Sequence, residues 1–359
     1  MFTKLAEGDI FATLQPDIRC AGSRTAVLPD GSLICVWHEC SGVGVNDFVP
    51  VAAYSKDGLQ WSAPKPIWPE LIGVQSLCMT VRPTADGRIC LAGMCFRIDA
   101  PGEAWWSDEL GAMKENQLAY AISEDGYTFP QPTCVDLPEY GAAEQPGGMQ
   151  VDADGTMTMV YSPYPTIERR DETDTCCLMY VRSTDGGKTW QHAKVGCVQP
   201  PSLYAEAWIV RLGDGRLMIA TWQTASQDAP DQYFLSEDDG ASFQGPFAMP
   251  FRGQTTALLP WKDGSVFVTY NQRKQAPAGV WLALARPDAS GFNLIANEPV
   301  WTADVTTRSN SSGDFAEWTD YAFGEPQVTV LPDGTLLVCL WYEKGEKRGI
   351  RYVHLKITD

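Results

Sequence analysis

One hairpin signal returns six times along this chain of 359 residues. Each copy is an Asp-Gly pair followed by a hydrophobic run, at Asp30-Gly31, Asp86-Gly87, Asp154-Gly155, Asp214-Gly215, Asp263-Gly264 and Asp333-Gly334. Asp-Gly between apolar runs marks a β-hairpin, because Gly reaches positive φ freely and Asp bonds its own backbone. A second phrase alternates with the first: Ser, any residue, Asp, a nearby Gly, and an aromatic a few residues on. It stands as Ser55-Lys-Asp57-Gly58-Leu-Gln-Trp61, Ser123-Glu-Asp125-Gly126-Tyr-Thr-Phe129, Ser183-Thr-Asp185-Gly186-Gly-Lys-Thr-Trp190 and Ser236-Glu-Asp-Asp239-Gly240-Ala-Ser-Phe243. Here Asp57, Asp125, Asp185 and Asp239 are expected to hold a turn whose aromatic packs on its own sheet.

The interleaving defines a unit of four strands: A, Asp-Gly turn, B, a variable connection, C, the Ser/Asp turn, D. The fifth unit carries a worn second turn, Arg286-Pro-Asp288-Ala-Ser-Gly291-Phe292, and the sixth ends in the strand from Gly349 to Ile357. Six such units predict an all-β fold, a six-bladed β-propeller with four antiparallel strands per blade. The sixth unit lacks a strand D of its own, so the N-terminal segment from Asp9 to Leu14 is expected to supply it and close the ring. The repeats run from end to end without a linker, which predicts a single domain over residues 1–359.

Composition excludes several classes. A net charge of −18 argues against nucleic acid, whose phosphates attract basic surfaces. No apolar run is long enough to span a membrane, and the first residues lack the apolar core of a secretory signal. Eleven Cys at irregular spacings and three scattered His fit reduced, core-filling thiols better than disulfides or a metal site. The expectation is a cytoplasmic protein with no metal, no cofactor and no membrane partner, its oligomeric state left open.

In an antiparallel A-B-C-D blade both turn types lie on one face. Function is therefore expected on the other, where the B–C loops near 38–50, 95–117, 162–175, 223–231, 271–279 and 342–348 emerge. These segments carry His38, Glu39 and Asp47, then Arg97, Asp99, Glu103, Trp105, Trp106 and Asp108, then Tyr164, Glu168, Arg169 and Arg170, and Arg273. Aromatics, carboxylates and arginines converging on an axis suit a sugar.

The Ser/Asp turns resemble the Asp boxes of the sialidase (neuraminidase) superfamily, and the resemblance covers essentially the whole chain. It implies a six-bladed propeller and an exo-acting glycoside hydrolase using no cofactor. It also implies an Asp acid/base in the first B–C loop, a Glu opening strand A of blade four, a Tyr nucleophile opening strand A of blade six, and three Arg for a sugar carboxylate. Residue by residue these fall on Asp47, on Glu206 nine positions before Gly215, and on Arg19 and Arg273. Two departures stand out. The nucleophile position, nine before Gly334, holds Glu325, with Tyr321 four residues earlier, and the second Arg finds no match between Trp222 and Leu235.

The candidate catalytic set is thus Asp47, Glu206, Glu325 and Tyr321. Substrate contacts are expected from Arg19, His38, Glu39, Arg252, Arg273, Trp105, Trp106, Tyr204 and Trp222. Arg252 stands twelve residues before Gly264, the same offset as Arg19 from Gly31. A carboxylate in the nucleophile position suits a sugar without an acid group, or an inverting mechanism, so whether sialate is accepted stays open. Two other functions fit the same residues: a non-catalytic glycan- or protein-binding propeller, and a polysaccharide lyase.

Overall fold

A computed structural model of the chain describes residues 1–42, 44–137, 141–168, 176–200, 202–224, 229–273, 275–303 and 321–358. Six small antiparallel sheets form the six blades of a propeller. Blade I runs Arg19–Val27, Leu33–Cys40, Val49–Ser55 and Lys65–Pro66. Blade II runs Gln75–Pro83, Ile89–Arg97, Asn116–Ser123 and Thr133–Val135. Blade IV follows the same order, Tyr204–Arg211, Leu217–Gln223, Gln232–Ser236 and Gln244–Ala248, as does blade V, Gln254–Pro260, Val266–Gln272, Gly279–Asp288 and Gly291–Thr302. In blade III the inner strand is broken into Ala142–Glu144 and Gln150–Val151, both on Met157–Tyr164. The break holds Pro146, Gly147 and Gly148, residues that a regular ladder rejects.

Blade VI comprises Phe323–Val330, Leu336–Lys344 and Lys347–Ile357, and its fourth strand is the N-terminal segment Phe2–Thr13. The closing strand is longer than the sequence suggested. It begins at Phe2, opposite Ile357, and stops at Thr13, short of Leu14. The middle strands read as continuous apolar runs because each blade is covered on both faces by its neighbours. In Leu33–Cys40, for example, Ile34, Cys35, Val36 and Trp37 are all fully buried. Trp37 and Cys35 pack with Leu337 and Cys339 of blade VI, so the first and last blades share one core. Most of the eleven Cys are buried, several of them in such seams.

The Ser/Asp turns hold the geometry their residues promise. Asp57 Oδ1 accepts the N–H groups of Leu59 and Gln60 at 2.9 Å each, and Ser55 Oγ accepts that of Gly58. Asp125 and Asp185 repeat the pattern. In the fourth copy the capping residue is Asp238, which accepts from Ser242 N–H and hydroxyl, and the expectation for Asp239 is corrected. Asp239 takes the next position of the turn, at a φ of 59°, with its carboxylate on Arg182 and Arg211. None of these turn residues, nor any Asp-Gly pair, lines the large cavity described below.

Replacing Asp57 by Ala should therefore lower stability by about 1 kcal/mol, the usual worth of a lost capping acceptor, without changing ligand affinity per folded molecule. Thermal melts of Asp238→Ala and Asp239→Ala should separate the two neighbours, with only the first showing a clear drop.

Candidate active site

The inner strands of blades I, IV, V and VI share one irregularity. Their ladders slip between Ala21 and Arg24, Ala205 and Trp208, Gln254 and Ala257, and Gly324 and Gln327. Each slip is a β-bulge, and each contains one residue at positive φ: Gly22 (67°), Glu206 (51°), Thr255 (53°) and Glu325 (47°). All four stand nine residues before the Gly of their hairpin. Bulges bend a strand and re-aim a side chain, and a left-handed conformation costs a non-Gly residue about 1–3 kcal/mol. Three side chains held there at that cost mark a place where direction matters more than ease of folding. At the same offset in blade II, Cys78 keeps a regular ladder. In blade III the position is Pro146.

These positions ring a cavity of about 860 Å³ on the axis. Glu206 and Glu325 face it from two blades apart, and a third carboxyl group, Glu144, joins them from the broken strand of blade III. Adjacent blades bond to one another at this level. Glu144 Oε2 accepts the Glu206 N–H at 2.8 Å. Glu206 Oε1 accepts the Thr255 hydroxyl and its Oε2 the Trp222 indole N–H, both at 2.6 Å. Glu325 Oε2 accepts the Gly22 N–H at 2.5 Å. Position 22 tolerates only Gly, since a Cβ there would meet the His38 ring at 2.4 Å.

Burial acts on Glu144 and Glu206 together. It is the main cause that holds Glu144 well above the usual carboxylate range, with Glu206 and then Glu325 adding like-charge repulsion. Burial and Glu325 also raise Glu206, partly offset by the bonds from Thr255 and Trp222. His38 is buried and pushed downward, hence neutral. Its Nε2 lies 2.6 Å from Met79 N and 3.0 Å from Met79 O, and its Nδ1 stands beside Gly22. Two residues past Glu206, Trp208 fills the axis between the guanidinium groups of Arg24 and Arg82, 5.2 and 5.5 Å from its ring centroid. Arg82 is anchored on Gly147 O, Ile209 O and Gln150 Oε1.

The opposite end is walled by loops of blades I to III. Asn46 N–H bonds Glu103 O, Trp105 N–H bonds Gly44 O, and Met113 N–H bonds Pro165 O. Lys114 ties Asp99 and Glu103 beneath. This stitching places Trp105, Trp106, Phe48 and Tyr164 as an aromatic wall of the cavity. Among the described residues no His, Cys, Asp and Glu group is disposed to hold a metal ion.

Of the candidates read from sequence, the structure brings Glu206, Glu325, Tyr321, Arg19, His38, Arg273, Trp105, Trp106 and Trp222 to this cavity. It does not bring Asp47 there. Asp47 folds back on its own loop, accepting the Ser41 N–H at 3.1 Å, and lines a separate groove with Glu39. Arg252 lies beside a small crevice with Asp231. Tyr204 is wholly buried between blades III and IV, edge-on to Phe234, its hydroxyl on Gln232. The strand alternation that buries Tyr204 would bury Glu206 too, and the intervening bulge turns Glu206 outward. Arg169 and Arg170 lie outside the described residues. Glu144, Thr255 and Arg24 were missed. For Thr255 the nine-residue offset was the available signal; for Glu144 the broken strand shifts the count by two.

No family model matches the sequence, and no curated protein matches it in sequence. Solved structures do match in shape. A protein of unknown function from Dyadobacter fermentans superposes with a TM-score of 0.74 at 17% identity over 99% of both chains. A Hadza microbial sialidase gives 0.64 at 15% identity, over 94% of this chain and 66% of its own. An alpha-L-arabinanase of Penicillium chrysogenum, complexed with arabinobiose, gives 0.61 at 16% identity over 98% of both. At these identities the likeness is one of fold.

A stability test follows from the buried carboxyl groups. A group whose folded pKa is raised stabilises below its unfolded value, and that stability is lost as pH rises through the folded one. Glu144→Gln keeps an acceptor for the Glu206 N–H and removes the titratable group. Its melting temperature should equal or exceed that of the parent at neutral pH, and the two should converge near pH ~4, the unfolded carboxylate range. A variant that melts well below the parent at pH 7 would show that the Glu144 charge is held favourably.

Proposed function

We propose that this chain is an exo-acting glycoside hydrolase of the sialidase-like, Asp-box class, releasing a terminal sugar within the axial cavity. The observation that carries the reading is the placement of Glu206 and Glu325 on equivalent bulges, turned with Glu144 into one partly closed space. Left-handed glutamates at two symmetric positions serve no packing purpose. The plug of Arg24, Arg82 and Trp208 beneath them suits a site that accepts a chain end. The aromatic wall offers faces for sugar C–H groups.

Cleavage needs a proton for the departing oxygen and a carboxylate or activated water for the anomeric carbon. Glu144, kept protonated by its surroundings, is the proton donor in this reading, a role the sequence had given to Asp47. Glu325, oriented by the Gly22 N–H, attacks the anomeric carbon or removes a proton from water. Glu206, fixed by Thr255 and Trp222, positions Glu144 through its N–H and stabilises positive charge at the ring. The glycosidic C–O bond breaks, the leaving oxygen takes the proton, and water completes the new C–O bond. Tyr321 stacks on Arg273, whose guanidinium carbon lies 3.8 Å from its ring centroid, and accepts from Gln254, so it serves as rim and support. The fold likeness to a sialidase and to an arabinanase supports a glycosidase in this architecture.

Glu325→Gln keeps shape but loses basicity. It should lower kcat by about 10²–10⁴-fold on any nitrophenyl glycoside the parent cleaves, with ligand binding retained. Equal turnover by the variant would remove Glu325 from the chemistry. Binding without turnover in the parent would favour a glycan-binding propeller instead.

A further inference from the structure

The charges around the cavity restrict the sugar more than the fold does. Glu144, Glu206 and Glu325 share one space, and among the described residues none of them is ion-paired with a Lys or Arg. The four guanidinium groups that line the same space are committed elsewhere, Arg348 through Nη1 to Pro16 O at 3.1 Å. Arg19 Nη1 holds both oxygens of Glu343, at 2.7 and 2.6 Å. Arg24 is fully buried, with Nη1 on Ser23 O and Glu325 O and Nε sealed from solvent. Arg273 spends Nη1 on Gln254 Oε1 at 3.0 Å and Nη2 on Phe323 O at 2.5 Å. Its Nε is sealed and its flat face is covered by Tyr321.

Recognition of a carboxylate by Arg uses an accessible edge with two N–H groups side by side. Arg24 and Arg273 offer no such edge, and the charge of Arg19 is already met by the Glu343 carboxylate. An acidic sugar would instead bring its carboxylate into a cluster of carboxyl groups that already disfavour one another's charge. The same groups favour a ring that is neutral at rest and becomes positive as its glycosidic bond breaks.

We infer that the cavity takes a sugar without an acidic group, a neutral pyranose or furanose at the non-reducing end, and discriminates against sialate and uronate. The inference rests on the reading of this cavity as a sugar site.

A panel of nitrophenyl glycosides tests both at once: rhamnoside, arabinofuranoside, galactoside and glucoside against sialoside and glucuronide. Binding of the matching methyl glycosides is followed by the fluorescence of Trp105, Trp106, Trp222 and Trp341, which line the cavity. The expected result is turnover of at least one neutral glycoside, with kcat/KM about 100-fold or more above both acidic ones, as like-charge contact dictates. Ready cleavage of an acidic glycoside would overturn the inference and leave the hydrolase reading standing. Binding of a neutral methyl glycoside without any turnover would overturn the hydrolase reading and support the inference. Neither binding nor turnover of any member would overturn both. Glu343→Gln supplies an independent check, because it releases Arg19. Affinity for methyl glucuronide should rise about tenfold, the worth of one charge-assisted contact. An unchanged affinity in a variant that melts like the parent would overturn the argument from Arg19.

Discussion

Ring closure is the constraint on which the rest of this molecule depends. Phe2–Thr13 lies along Lys347–Ile357, so the first and last segments of the chain share a sheet. Closure puts blade VI beside blade I, and only then does the Gly22 N–H meet Glu325. It also assembles the shared core of Trp37, Cys35, Leu337 and Cys339. A sheet edge that would otherwise template aggregation is consumed in the process. The contacts involved are separated by most of the chain, and such non-local pairings are slow to form.

Inside the ring the same device is used four times with different cargo. A bulge at one level of the inner strand carries Gly in blade I, Glu in IV and VI, and Thr in V. Neighbouring blades then bond across that level, Thr255 to Glu206, Glu206 to Glu144, Gly22 to Glu325. The arrangement is costly twice over, in backbone strain and in buried carboxyl groups. The Asp-Gly and Ser/Asp turns on the far face offset this, since each satisfies its own backbone locally. Stability and chemistry thus sit on opposite faces of one repeat, as a site supported by a rigid scaffold requires.

Much of the site was legible because the hairpins number the strands. Counting back from Gly215 and Gly334 finds Glu206 and Glu325 without any structure, since equivalent offsets in a repeat occupy equivalent places. The count fails where the repeat is irregular. Pro146, Gly147 and Gly148 break the blade III strand, and Glu144 enters the cavity two residues off the common offset. It fails again at Asp238 and Asp239, where two adjacent Asp compete and the cap stays two residues after the Ser, on Asp238. Asp47 was read from its loop, and loop residues have no period; its carboxylate satisfies a backbone N–H of that loop instead of facing the axis.

By itself the sequence determined the number of blades, the face that carries the turns, the need for an N-terminal strand, and two of the four carboxyl groups that line the cavity. Those properties are local or periodic, fixed by turn chemistry and alternation within a few residues. The tertiary structure alone decided which side chains share a space, because bulges reverse the direction that alternation assigns. Only in three dimensions does Tyr204 vanish into a seam while Glu206, two residues on, turns to the axis. The state of the arginines was decided there as well. Arg19 and Arg273 read in sequence as free cations for a ligand, yet Glu343, Gln254 and a backbone carbonyl occupy them first, since buried donors must be satisfied wherever the fold leaves them.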